Sequence, residues 1–144
     1  MHRVKTHKKS EWTCFSDMHS GGGLKEKRDF IFIEAPENEA KVIFYNRFGH
    51  NPERVSCTCC GDDYSISSGP SFLQVSGFYR GCHFDDKKNC YLDKPSAVTR
   101  FGVNNYQTDA KFKKRKDVLV ISADKIKAAE RKGEVPKQGY VYID

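Results

Sequence analysis

A short string of cysteines, in residues 57–61 (CTCCG), restricts the possible folds of this chain more than any other sequence feature. Two thiols three positions apart before a glycine form a compact turn in which both sulfur atoms can bind one metal ion. A tetrahedral zinc needs four ligands, and four protein ligands make such a site structural and not catalytic. The predicted ligands are Cys57, Cys60, Cys82 and Cys90, and Cys59 or His83 could replace one of them. The alternative is that these are ordinary buried thiols.

Length and composition favour one domain in a reducing compartment. A chain of 144 residues fits a single domain with a modest core. The longest strongly apolar run, residues 118–121, is far too short to cross a bilayer, and no apolar segment follows the N-terminus. We therefore expect a cytoplasmic protein with no membrane partner, in which six cysteines serve as metal ligands or free thiols. Three disulfides in an exported protein are the competing interpretation.

The apolar pattern of the first half predicts an α+β fold. Residues 11–17 and 28–34 read as two strands of a hairpin with a glycine-rich tip at residues 20–23. Residues 36–48 read as a helix, because proline suits its first turn and Gly49 suits its end.

One side of that helix carries apolar residues at a spacing of four, namely Ala40, Phe44 and Phe48. This stripe should pack on the hairpin. Residues 54–57 then form a short strand that leads into the cysteine string, and residues 64–66 extend its returning arm.

The second half of the sequence is less regular. Residues 70–80 could form a short helix, and residues 81–117 read as mostly loop. Residues 118–121 form a buried strand, and Ser122 caps a helix over residues 123–132.

A final strand over residues 139–143 completes a C-terminal strand–helix–strand unit. The predicted architecture is thus a basic N-terminal arm (1–10), followed by one zinc-stapled domain (11–144). That domain has a small antiparallel sheet, a packed helix and a zinc knuckle.

The net charge of +6 is concentrated in two short segments. Residues 1–9 carry +4, and residues 111–117 carry +4, so the rest of the chain is slightly acidic. The cations of the first segment are Arg3, Lys5, Lys8 and Lys9. This distribution is typical of local contacts with a polyanion.

The second segment is the predicted polyanion-binding site. It consists of Lys111, Phe112, Lys113, Lys114, Arg115 and Lys116. Its cations would neutralise phosphates independently of sequence, and Phe112 would stack on an unpaired base. Two alternatives stay open: a solvated edge that protects the following strand from aggregation, or contact with an acidic protein surface.

An acid and an imidazole, Asp17 and His19, stand at the end of the first predicted strand. They could bind a metal ion or relay a proton, and the glycines that follow could expose amides to a phosphate. No nucleophile or second carboxylate lies beside them in the local sequence. A hairpin turn with solvated polar residues is therefore the preferred interpretation.

Several strings resemble a family of small, uncharacterised bacteriophage and prophage proteins. They are residues 17–23 (DMHSGGG), 33–36, 51–55, 57–61 with 64–66, and 133–136 with 139–141. The similarity covers most of residues 11–143, but residues 84–117 and the basic N-terminus have no counterpart. The resemblance implies a phage origin and action in the cytoplasm of a bacterial host. It brings no established reaction, so no catalytic residue is transferred.

The expected function is non-catalytic binding of a host macromolecule, either a nucleic acid or a nucleoprotein complex. More specifically, we expect inhibition of a bacterial defence system, for example as an anti-CRISPR protein. This expectation comes from what small accessory phage proteins often do and not from particular residues of this chain. The alternatives are a small enzyme that processes nucleic acid or nucleotides with Asp17 and His19, and a structural or assembly protein of the virion.

Overall fold

Among the described residues, a mixed four-stranded sheet carries the two hydrophobic clusters on its faces. We describe it from a computed structural model, in which residues 11–17, 28–53, 64–96 and 106–131 are described. Along the chain, the elements are β1 (Trp12–Asp17), β2 (Phe30–Ile33), α1 (Glu37–Phe48), β3 (Tyr64–Gly69), α2 (Phe72–Arg80), β4 (Cys82–Asp85), β5 (Cys90–Pro95), α3 (Asp109–Lys113), β6 (Val118–Ile121) and α4 (Ala123–Arg131).

The strands of this sheet follow the order β3-β1-β2-β6. β1 is antiparallel to both β2 and β3, so that Phe15 lies opposite Ile31 on one side and Ile66 on the other. β6 runs parallel to β2, with Val118 beside Phe30. The predicted α+β class, the predicted hairpin and the largely antiparallel sheet are confirmed, and one parallel pair is added.

Helices cover both faces of the sheet, because the strands bury side chains on both sides. On the first face, α1 and α4 pack on Phe15, Ile31 and Ile33 through Phe44 and Ile126. On the second face, α2 and α3 cover the alternate positions. That second cluster consists of Trp12, Cys14, Phe32, Phe72, Val75, Phe112 and Val118. The predicted packing of α1 on the hairpin is confirmed, whereas the second helical layer was not predicted.

The ends of the first-face helices follow local rules. α1 stops at Gly49, whose φ of 77° is the left-handed conformation that glycine adopts without strain. At the start of α4, the Ser122 hydroxyl accepts a bond from the Lys125 amide at 3.4 Å, as predicted. Glu34 adds a cap from a distant part of the chain, since its Oε1 accepts a bond from the Ala123 amide at 2.9 Å.

The prediction of mostly loop over residues 81–117 missed regular elements on both sides of residues 97–105, which lie outside the described ranges. β4 and β5 form an antiparallel hairpin before these residues, and α3 follows them. Gln74 of α2 connects this hairpin to the helix through two hydrogen bonds with the Tyr91 backbone. Its Nε2 donates to the Tyr91 carbonyl at 3.0 Å, and its Oε1 accepts from the Tyr91 N–H at 2.8 Å. At the turn, the Asp85 side chain accepts hydrogen bonds from the backbone amides of Lys87 and Lys88. The strands are short and polar, so their pattern alone did not reveal them.

Several predicted features lie outside the described residues. They are the N-terminal arm (1–10), the hairpin tip (20–23), the strand over 54–57, the cysteine string (57–61) and the final strand (139–143). Within the described part of the chain, no helix combines the length and the apolar character that spanning a membrane requires.

Candidate nucleic-acid interface

The predicted basic segment (residues 111–116) starts in α3 and continues through the turn before β6. Thr108 caps the start of this helix, because its hydroxyl accepts a hydrogen bond from the Lys111 backbone amide at 3.3 Å. Phe112 anchors it: the side chain is 0% exposed and packs on the rings of Phe32 and Phe72. The expectation that Phe112 stacks on an unpaired base is therefore wrong, because its ring has no exposed surface.

Two cations of the basic segment have intramolecular partners. The Lys113 ammonium lies 3.2 Å from Asp109 and 4.6 Å from the centre of the Phe72 ring. The Arg115 guanidinium donates through Nε and Nη2 to both carboxylate oxygens of Asp117. These pairings reduce the charge that these two residues offer to a partner.

The other three lysines of the segment, Lys111, Lys114 and Lys116, are exposed, as is Lys113. Among the described residues, no carboxylate forms an ion pair with Lys111, Lys114 or Lys116. They are therefore the members of the predicted polyanion site whose charge is available. Arg3, Lys5, Lys8 and Lys9 of the same prediction precede the first described residue.

A buried arginine fixes the residues that lead into α3. Arg80 is 1% exposed, and its Nη2 donates to Asp93 Oδ1 at 2.7 Å. Its Nε donates to the Gln107 carbonyl at 3.1 Å, and the Gln107 side chain accepts from Arg115 Nη1 at 3.0 Å. Tyr106 also donates to Asp93, and this bond is the first cause of the lowered pKa of the Asp93 carboxyl, ahead of Arg80. The network therefore connects α2, β5 and the basic segment.

Partly exposed aromatic rings continue from the basic segment along one end of the sheet. The Arg115 guanidinium stands 5.9 Å from the centre of the Phe30 ring. Phe30 contacts Tyr79 at 4.3 Å between ring centres, and Tyr79 contacts Phe78 at 5.5 Å. Phe78 is 55% exposed. We call Phe30, Tyr79 and Phe78 the aromatic row; the sequence did not predict it, because its members come from two distant elements.

Three carboxyl groups lie at the same end of the sheet, which we call the Phe30 end. The Asp17 amide donates to the Asp29 carbonyl at 2.9 Å, and the Phe30 amide donates to the Asp117 carbonyl at 3.0 Å. Burial, followed by a side-chain hydrogen bond with Asp117, raises the pKa of Asp29. The bond from Arg115 is the main cause of the lowered pKa of Asp117. Asp29 therefore keeps its proton to a higher pH than an ordinary aspartate does, whereas Asp117 loses its proton at a lower pH.

The predicted pair Asp17 and His19 is only half described. Asp17 ends β1 opposite Tyr64, and its carboxyl group contributes to the raised pKa of Asp29. His19 lies outside the described residues. Within the described ranges, no three or more His, Cys, Asp or Glu side chains form a group that could hold a metal ion.

The structure does not bring the predicted ligands Cys82 and Cys90 together. Cys82 lies opposite Pro95 and Cys90 lies opposite Asp85, so the two cysteines occupy opposite ends of the β4–β5 hairpin. Three residues of strand separate these positions by about 10 Å, whereas two sulfur atoms on one zinc lie within about 4.6 Å of each other. Burial also raises the pKa of the Cys82 thiol, which favours its protonated form.

The remaining predicted ligands are described only in part. His83 lies on β4 opposite Leu92. Cys57, Cys59 and Cys60 fall in residues 54–63, outside the described ranges. Zinc at the cysteine string therefore stays a prediction.

Comparison with known proteins gives no match: no family model, no curated protein and no solved structure is significantly similar to this chain.

Proposed function

We propose that this chain is a non-catalytic phage accessory protein that binds a polyanionic host partner, either a nucleic acid or a nucleoprotein complex, and inhibits that partner. The observation that carries the proposal is the basic segment, in which Lys111, Lys114 and Lys116 are exposed and without an ion-pair partner among the described residues. Such cations gain most from phosphates, because binding releases the counterions condensed on the nucleic acid.

The way in which the segment is anchored supports a binding role. Phe112 holds it to the core, and Arg115, near its end, is bonded to Gln107, which Arg80 holds in place before α3. A charged surface that is already ordered loses less conformational entropy on binding than a mobile tail does. A solvated edge that only protects β6 from aggregation would not require these anchors.

Structural zinc at the cysteine string remains part of the proposal, with Cys57 and Cys60 as ligands. Cys82 and Cys90 are not proposed as a pair on that ion, since they lie at opposite ends of their hairpin. Elemental analysis of the purified protein should find about one zinc ion per chain.

The experiment is the replacement of Lys111, Lys114 and Lys116 by alanine, with affinity for a labelled oligonucleotide measured by fluorescence anisotropy across salt concentrations. We expect affinity at low salt to fall about tenfold or more. The slope of log K against log salt should become shallower by about 2 for a single strand, because each phosphate contact contributes about 0.7.

The matched control is the replacement of Lys87, Lys88 and Lys94 by alanine, which removes the same charge from exposed positions on the β4–β5 hairpin. We expect this control to keep both the affinity and most of the salt slope. Equal losses in the two triple variants would show that only net charge matters and would contradict the proposed site.

The host partner itself can be identified by affinity purification from bacterial cells, with and without nuclease treatment. A partner that the wild-type protein retains and the Lys111, Lys114 and Lys116 variant loses is the expected result. Retention of the same partner by both proteins would contradict the role of the basic segment.

A further inference from the structure

The aromatic row places stacking surfaces beside the proposed polyanion site. Its three rings form a continuous series from Phe78, which is 55% exposed, through Tyr79 to Phe30. The series ends under the guanidinium of Arg115, which belongs to the basic segment. Isolated exposed aromatic residues are common on proteins, but a continuous series that begins at a cationic segment is a more specific arrangement.

We propose that the partner bound here is single-stranded nucleic acid, with an unpaired base stacked on Phe78 and the adjoining phosphates on the lysines of the basic segment. This inference rests on the proposed function and names its ligand. Proteins that bind single strands combine a cationic path along the backbone with aromatic rings that stack on bases. In a duplex, the flat faces of the bases are already stacked on each other, so the row would offer it little.

The geometry assigns different tasks to the members of the two groups. Arg115 is fixed by Asp117 and Gln107, so its role is to hold the end of the row and not to supply a free charge. Lys114 and Lys116 flank Arg115 in the chain and are exposed. Because consecutive Cα atoms are about 3.8 Å apart, these two lysines start next to the residue that meets the row, and we infer that they contact the backbone of a strand passing over it.

The acidic neighbours of the row restrict where phosphates can lie. Asp17, Asp29 and Asp117 are at the Phe30 end of the sheet, and Asp117 is neutralised by Arg115. A phosphate placed there would approach these carboxyl groups instead of the exposed lysines of the basic segment. The structure therefore favours a base, which is uncharged, at the aromatic row, and phosphates at the lysines.

The test compares Phe78→Ala with Phe84→Ala, an exposed aromatic residue on β4 that is outside the row and 39% exposed. Three labelled ligands are used at constant salt: an oligothymidylate, an abasic strand with the same number of phosphates, and a duplex. A strand with the same bases on ribose is measured as well, to determine whether the affinity depends on the sugar.

We expect the wild-type protein to bind oligothymidylate more tightly than the abasic strand and the duplex. Phe78→Ala should lower the affinity for oligothymidylate about 5- to 160-fold, the range measured for loss of one stacked base, with no change for the abasic strand. Phe84→Ala should leave all affinities unchanged. Circular dichroism spectra that match the wild-type spectrum establish that both variants fold.

Other outcomes separate this inference from the proposed function. If Phe78→Ala binds oligothymidylate as the wild type does, or loses affinity equally for the abasic strand, base stacking is wrong, although the lysine variant can still support polyanion binding. If polyglutamate of equal charge competes as well as oligothymidylate does, the surface recognises negative charge alone. An acidic protein could then be the partner, and the inference of base stacking is wrong. If the wild type binds none of the nucleic acids, both proposals fail.

Discussion

The two faces of the sheet are covered in the same way but differ in what they offer to solvent. The first face is closed by α1 and α4 through a mixed aliphatic and aromatic cluster. The second face is closed by α2 and α3 through a cluster dominated by aromatic rings, and Lys113 and Arg115 stand over those rings. The difference teaches that one layer serves chiefly to bury apolar area, whereas the other also fixes a charged surface to the core.

The largest expected effect comes from truncating one buried ring on each face. Phe44→Ala on the first face and Phe112→Ala on the second should each cost about 3–5 kcal/mol of unfolding free energy, since both rings are 0% exposed. Urea unfolding measures this loss. Only Phe112→Ala should also weaken oligonucleotide binding, measured where both variants are still folded, because Phe112 anchors the basic segment. Equal effects of the two variants on binding would contradict the division between the faces.

A smaller effect is expected at the contact between α2 and the β4–β5 hairpin. A Cβ atom added at Gly77 would lie 2.5 Å from Cγ and 2.8 Å from Cβ of Tyr91, so Gly77→Ala must displace that side chain. Overpacking costs about 1–3 kcal/mol and the helix propensity of alanine returns up to about 1 kcal/mol, which leaves a net loss of about 1–2 kcal/mol.

A double-mutant cycle with Tyr91→Ala tests the cause of that loss. Tyr91→Ala removes Cγ and the ring, which make the closest contact, but keeps the Cβ that lies 2.8 Å from the new methyl group. Gly77→Ala should therefore cost less in the Tyr91→Ala background, while part of the loss remains. Additive losses in thermal or urea unfolding would show that this close contact is not the reason.

The smallest effect concerns the carboxyl pair at the Phe30 end. The pKa of Asp29 is raised, chiefly by burial, so its protonated form stabilises the folded state. That contribution is present below the usual pKa of aspartate and is lost as pH rises through the folded-state value. Asp29→Asn keeps the side chain neutral, so we expect a Tm about 1–2 °C above the wild type at pH 7, and a gap that closes as pH falls.

The control for that prediction is Asp117→Asn, for which the expected change in stability at pH 7 has the opposite sign. The pKa of Asp117 is lowered, mainly by its bond with Arg115, so its contribution is present at neutral pH and lost as pH falls through the folded-state value. This variant should be less stable than the wild type at pH 7. A Tm of Asp29→Asn below that of the wild type at pH 7 would show that the Asp29 charge is favourable.

Prediction from the sequence succeeded where the signal is local. The hairpin of β1 and β2, the helix α1 with its end at Gly49, and the β6–α4 unit with its Ser122 cap were all predicted within about two residues. The β4–β5 hairpin was missed, since what stabilises it is mainly non-local: the Gln74 amide on the Tyr91 backbone and the pairing of Arg80 with Asp93.

The candidate site was predicted only in part for the same reason. The charge run itself identified the basic segment, and the three exposed lysines that form no ion pair with a described residue were among the predicted residues. Phe112 was assigned to the surface because a lone aromatic residue among cations reads as an exposed stacking ring. Its burial depends on Phe32 and Phe72, which lie far away in the sequence and meet it only in the folded protein.

The sequence by itself determined the α+β class, the strands and helices with strong periodicity and caps, and the location of the positive charge. Tertiary structure alone decided which of those charges are available, which aromatic ring is buried, and which rings stand together at the Phe30 end. The physical reason is range: periodicity and capping act within a few residues, whereas burial, ion pairing and ring contacts depend on neighbours that folding brings together.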